Sequence, residues 1–284
     1  MLSIVCAGLS GVDSAMLYLS CGEDDSHRAF GIYESLGQLG LILSAGIYAF
    51  CAGENYRLAA LLTVFSYGAA AVLSLGLREV IPVSAKVPER TLRKIKSVIR
   101  SQLSNPGLLL LLPAMALFNE THQTVTVFLS QLQYVRAGMS HWEISLAYIL
   151  VNVAALAGGL SAKLSDRFGM KTVGVTLMAL AAVSCLALGL FPVPLISVLA
   201  VTVLRGCFGL MQPLQMQLQN RMITAGDRAT ALSVNAVVME AIGIFLNLIF
   251  GSVAQARLDL ALYLAAALCG IGAVLCRRAF RKMK

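Results

Sequence analysis

Nine runs of about 20 predominantly apolar residues follow one another along the chain. They lie at approximately 2–20, 31–52, 57–77, 107–130, 143–163, 171–191, 194–215, 230–251 and 257–276. A helix rising 1.5 Å per residue needs about 20 such residues to cross a hydrocarbon layer of about 30 Å, so each run predicts a spanning helix. A spanning backbone must satisfy its own hydrogen bonds, which excludes an open sheet at this depth. The joins are short and made of turn residues: Gly-Glu-Asp-Asp-Ser, Gly-Glu-Asn, Gly-Met-Ser, Phe-Pro-Val-Pro and Ala-Gly-Asp. The longest polar segment is 78–106. Within it, Leu92, Ile95, Val98 and Ile99 recur at helical spacing opposite Arg93, Lys94, Lys96 and Arg100, predicting a short amphipathic helix at 89–102. Its apolar face can meet lipid or protein; a tether on anionic headgroups is favoured over recruitment of a partner.

Composition agrees with the pattern. Hydrophobic residues make up 58% of the 284 and charged residues 13%, with a mean hydropathy of +0.80. A soluble domain has about 45–50% apolar and about 25% charged residues, so the expected class is an all-α polytopic membrane protein. The formal charge of +8 suggests nucleic acid only until the basic residues are placed. Eighteen of the 22 Lys and Arg fall in alternate joins and the C-terminal tail. Three (Arg57, Arg136 and Arg257) fall on the other side, and Arg205 falls inside a run. This bias makes the first side cytoplasmic and puts the C-terminus inside, with the N-terminus outside. No nucleic-acid partner is expected. The seven cysteines are scattered without a CxxC pair and read as small buried hydrophobes, and no metal site is expected. Met1 opens into apolar sequence without a basic region, unlike a secretory signal. Trp142 and Tyr134 flank the 137–140 turn as an interfacial aromatic belt would. Glycines at 31, 37, 40, 46, 158 and 159 predict close helix approach in lipid, in preference to hinges.

One turn carries more. Between two apolar runs, Asp166-Arg167-Phe168-Gly169-Met170-Lys171 forms a compact charged reversal, with Gly169 free to turn tightly and Lys163, Arg167 and Lys171 holding it on the basic side. The stretch resembles the loop signature G-x-x-x-D-R-x-G-R-[KR] of the major facilitator superfamily, with Ala162 in place of its first Gly and Met170 in place of its first basic residue. Ser10-Gly-Val-Asp-Ser-Ala-Met-Leu-Tyr18 resembles helix four of a bacterial branch of that superfamily. Asn220-Arg221 with Arg228-Ala229-Thr230-Ala231-Leu232-Ser233 resembles the start of its helix eleven. The resemblance covers the whole chain. It implies that residues 1–77 correspond to helices four to six, 78–106 to the basic cytoplasmic central loop, and 107–284 to the C-terminal six-helix half with its tail. Helices one to three are then missing, through a wrong start, a fragment or a true nine-helix protein. It also implies location in the bacterial plasma (inner) membrane. The 31–52 run lacks the Gly-Pro-rich motif of drug–proton antiporters, and the end of 57–77 lacks the P-E-S-P-R run of sugar porters.

Charges at mid-membrane are costly and mark candidate sites. In the superfamily helices one, four, seven and ten line the central cavity, which directs attention to 107–130 and 194–215. The first carries Glu120, Gln123, Thr124, Val127 and Gln131 on one face by helical spacing, and Asn119, His122, Thr126 and Ser130 on another. The second carries Arg205, then Gln212 and Gln215 beside Pro213, which can loosen the helix. Glu240 in 230–251 and Asp13 in the first run complete the set. Glu120 is expected to be a proton or cation site, with Arg205 as counter-ion or as clamp for an anionic substrate. A static Glu120–Arg205 or Glu240–Arg205 pair that only locks helices is the competing expectation. His122 fits a helix-contact histidine better than a relay, and the Asn and Gln fit interhelical hydrogen bonds. Asp166, Arg167, Gly169 and Lys171 are the expected conformational-switch loop. Asp166 is expected near Ser26–Phe30 by pseudo-symmetry between the halves.

These readings favour a secondary active transporter of a small solute, coupled to protons through a carboxylate, working by rocking of two halves. No G-x-x-x-x-G-K-[ST] loop is present to bind ATP phosphates, and no H-E-x-x-H or G-x-S-x-G motif supports an enzyme. No cofactor is expected. The rival reading is a non-transporting membrane protein: a truncated fragment, a sensor or a scaffold.

Overall fold

The computed structural model describes residues 12–47, 56–77, 91–223 and 228–282. Among them the chain is helical throughout, without a strand. Helix α1, Val12–Ile47, is two helices that fold back on each other at Gly22 (φ 77°, ψ 178°), a conformation open to glycine because it lacks a Cβ. Tyr18 and Phe30 stack across the reversal with ring centroids 6.5 Å apart, and the Tyr33 hydroxyl donates to Asp13 Oδ2 at 2.8 Å. The second arm therefore starts near residue 23, ahead of the predicted 31, because the polar join is itself helical. Helix α2, Tyr56–Ser74, and the amphipathic α3, Thr91–Ser104, follow.

The next predicted span is helical from end to end but not uniform. Helix α4, Leu108–Gln123, runs into a π-helical segment, Thr124–Leu129, and then α5, Ser130–Arg136. In the π segment the Ser130 N–H donates to the Val125 carbonyl, five residues back. After a turn at Gly138 (φ 79°), Ser140 caps α6, His141–Ala154, in a capping box with Glu143. A 3-10 stretch, Ala155–Leu160, leads into α7, Ser161–Phe168, which ends at Gly169 (φ 80°). Helices α8 (Met170–Leu190), α9 (Pro194–Arg221), α10 (Arg228–Ala256) and α11 (Leu258–Lys282) complete the bundle. Five helices among the described residues are long and apolar enough to cross a membrane: Trp142–Phe168 and α8 to α11. Helix α9 continues without a break through Pro213.

The core is shared by α4, α8, α9 and α11, where Met115, Phe118, Met178, Leu188, Leu204, Met211 and Leu262 are fully buried. In lipid this association rests on close packing and interhelical hydrogen bonds, since the tails are as apolar as the side chains. Small residues bring α1 against this body. A Cβ added to Gly31 would sit 2.9 Å from the Gly158 carbonyl, one on Gly158 would sit 2.9 Å from that of Gly209, and one on Gly209 would overlap Ala155. The expected close approach is present at Gly31 and Gly158, whereas Gly37 and Gly40 have nothing near them. The apolar face of α3 meets protein: Val98 is buried with Ala15, Ile223, Ala231 and Leu232. Helix α2 is exposed from Ala60 to Ser74, Val64, Phe65, Tyr67, Val72 and Leu73 included. Trp142 is exposed as an interfacial residue would be, but Tyr134 is buried inside the bundle.

Candidate functional site

A cavity of about 680 Å³ opens between the π segment with α5, α6 and α9. Its lining includes Thr126, Ser130, Gln131, Tyr134, Tyr148 and Asn152, with Val127, Ile149 and Val201 supplying apolar wall and Arg205 the charge. All these residues lie in the half of the bundle that carries the Gly138 turn. Arg205 Nη1 donates to His122 Nε2 at 3.3 Å, and Nη2 donates to Gln38 Oε1 at 3.0 Å. Because Nε2 accepts, His122 is neutral with its hydrogen on Nδ1, and Nδ1 has no partner among the described residues. The imidazole lies flat on Phe208, with centroids 3.7 Å apart and planes 9° apart. Arg205 also reaches over Phe208, its Cζ 5.7 Å from the ring centroid. Thr126 donates to the His122 carbonyl at 2.7 Å, holding the wall of the cavity to the histidine below it. His122 thus belongs to the site as the support of Arg205.

Glu120 is elsewhere. Its Oε2 accepts from Asn247 Nδ2 at 2.9 Å, and Asn247 Oδ1 accepts from Thr124 at 3.3 Å. The carboxylate lies over Gly243 of α10, where an added Cβ would sit 2.6 Å from Oε1. Glu240, exposed on α10, is close enough for the two charges to interact. Glu120 and Arg205 therefore form no ion pair here, and neither do Glu240 and Arg205, contrary to the expected counter-ion arrangement. The reason is rotational: Glu120 and Arg205 leave α4 and α9 toward different neighbours, α10 and α1. Gln123 is exposed. Gln212 donates to Asn119 at 3.3 Å and Asn119 donates to Gln215 at 3.1 Å, an interhelical ladder away from the cavity. Asp13 is engaged by Tyr33 inside the α1 hairpin.

The opposite end, at Gly169, is closed by contacts between α1 and the later helices. His27 Nε2 meets Ser161 Oγ at 3.0 Å, and Ser161 in turn donates to the Leu210 carbonyl at 2.7 Å. Ser26 donates to Gln217, and Ser35 donates to the Leu156 carbonyl at 3.3 Å. Arg228 stands over the Tyr18 ring, its Cζ 4.1 Å from the centroid. Asp166 is exposed, and its charge acts on His27, within the 26–30 stretch where pseudo-symmetry expects it. It caps no helix end there, because α1 is already helical at that point. Arg167 lies over its neighbour Phe168, 5.2 Å from the centroid, and Lys171 is exposed. His27, Gln38 and Phe208 make these contacts without any motif to mark them. Their polarity or aromaticity was visible, but the partners Ser161, Arg205 and His122, in that order, lie more than eighty residues away.

The described residues thus form a bundle of apolar helices with a cavity toward one end and hydrogen-bonded contacts at the other. The family model of the Major Facilitator Superfamily matches residues 1–248. The chain belongs to that superfamily. As a superfamily member it is an integral membrane protein of the transporter type, handling a small-molecule substrate within a bilayer. No curated protein matches the chain.

Proposed function

We propose that the chain works as a secondary active transporter of a small solute by alternating access, with the cavity above Arg205 as its solute site. The observation that carries this reading is the asymmetry of the two ends. About 680 Å³ of space reaches Arg205 from the Gly138 end, while His27–Ser161, Ser26–Gln217 and Tyr18–Arg228 close the Gly169 end. This is the pattern of an outward-facing state if the Gly169 end is cytoplasmic, as the distribution of Lys and Arg requires. The C-terminus is then inside and the membrane is the bacterial plasma membrane. Residues 1–77 act as one rocking unit and 107–284 as the other, joined by 78–106. Asp166, Arg167, Gly169 and Lys171 form the loop that separates from α1 when the cytoplasmic end opens. No chemistry on the solute is required, and the basic surface faces lipid headgroups rather than nucleic acid.

Coupling is assigned to Glu120. A carboxyl between two helices at mid-span, hydrogen-bonded by Asn247 and near the like charge of Glu240, can take up a proton when those helices shift. The test is uptake into proteoliposomes under an imposed pH gradient, with and without Glu120→Gln. Gradient-driven accumulation in the parent chain and only gradient-independent equilibration in Glu120→Gln is the expected result. Accumulation that survives the substitution sinks the assignment.

A further inference from the structure

The charge inventory of the cavity points to a class of solute. Among the described residues lining it, Arg205 is the one charged side chain. Its two hydrogen-bond acceptors, His122 Nε2 and Gln38 Oε1, are both neutral, and among the described residues no carboxylate lies within ion-pair distance. A half-buried guanidinium at membrane depth without a counter-charge is costly to hold and selects an anion that supplies one. The remaining wall is aliphatic or aromatic over much of its area, with Val127, Ile149, Val201 and Tyr148.

On the reading of this cavity as the solute site, we propose that it takes a monovalent organic anion with an apolar body. The anionic head sits on Arg205, and the apolar body lies along the aliphatic and aromatic wall. A cation or zwitterion is disfavoured because its ammonium meets no carboxylate, Glu120 being bonded to Asn247 on the far side of α4. Polyanions are disfavoured because one guanidinium neutralises one charge. The volume of about 680 Å³ falls within the roughly 300–1,000 Å³ of small-molecule sites.

The probe is 4-tert-butylbenzenesulfonate, a permanent anion that does not leak across lipid. It is compared by titration calorimetry on the purified full chain with 4-tert-butylbenzyltrimethylammonium and 4-tert-butylbenzyl alcohol. The sulfonate is expected to bind at least about tenfold tighter than the other two. Arg205→Gln should lose about tenfold or more for the sulfonate and leave the alcohol unchanged, and Arg205→Lys should recover part of the loss. Thermal unfolding identifies any variant that does not fold; Arg205→Lys then carries the test. Failure of the sulfonate to bind, equal or tighter binding of the ammonium, or sulfonate affinity untouched in Arg205→Gln overturns the proposal. Sulfonate that binds through Arg205 but is not taken up by proteoliposomes leaves the site standing and removes the transport reading. Uptake of the ammonium that survives Arg205→Gln does the reverse.

Discussion

His27 shows how one side chain can make the closed end sensitive to pH. It stands in the lead-in to the apolar run 31–52, 4% exposed, donating through Nε2 to Ser161 with Nδ1 unpartnered among the described residues. Burial is the main cause that moves its pKa from 6.5 down to about 4; Asp166 works against the shift and Arg221 adds to it. The closed state therefore holds His27 neutral, while an opened or unfolded chain exposes it and binds a proton below about 6.5. The stability it contributes is complete above that value and fades as the pH falls toward 4, by about 2 kcal/mol at pH 5. Thermal unfolding of the parent chain in detergent should drop between pH 7 and 5 more than that of His27→Gln. Parallel pH profiles for the two would remove His27 as the cause. Arg205 teaches a different lesson. Its importance was legible from one charge in an apolar run, but its partners His122 and Gln38 were not, because a hydrogen bond across helices leaves no local trace in the sequence.

The helices themselves were legible, since runs of apolar residues of membrane length have few other uses, and the joins at Gly138 and Gly169 fell where turn residues predicted them. Faces were legible only while the helix kept its pitch. Glu120 and Thr124 point together toward Asn247, as spacing predicts, but Val127 and Gln131 turn to the cavity beside Thr126 and Ser130. The π segment between them inserts about one residue's rotation, roughly 100°, and no residue in Thr124–Leu129 announces it. The contact of α1 with the 3-10 stretch and α9 depends instead on absent side chains. Gly209→Leu should push these elements apart, because its added atoms meet the Ala155 backbone, and cost on the order of 1–3 kcal/mol. A disulfide formed between cysteines placed at Ala154 and Gly206, where the two Cβ atoms would lie 3.9 Å apart, measures the separation directly. Efficient cross-linking in the parent and weak cross-linking with Gly209→Leu is expected, and equal yields contradict the packing role.

The molecule is a body of tightly packed helices, α4 to α11, with α1 attached through glycines and α2 exposed from Ala60 to Ser74. Its two ends are unlike: one polar and bonded, the other holding a cavity and, at the start of α6, Trp142, exposed at 70%. The chain contains a single tryptophan. Its ultraviolet emission is thus light from one known place, two residues before Ile144 in the cavity wall. In membranes of uniform orientation, iodide added outside should quench that emission strongly and iodide trapped inside should leave it bright; the opposite pattern reverses the orientation of the chain. Lipids brominated near the headgroup should quench it more than lipids brominated at the chain ends. Without any label, the protein's own fluorescence then reports how deep the start of α6 sits in the membrane.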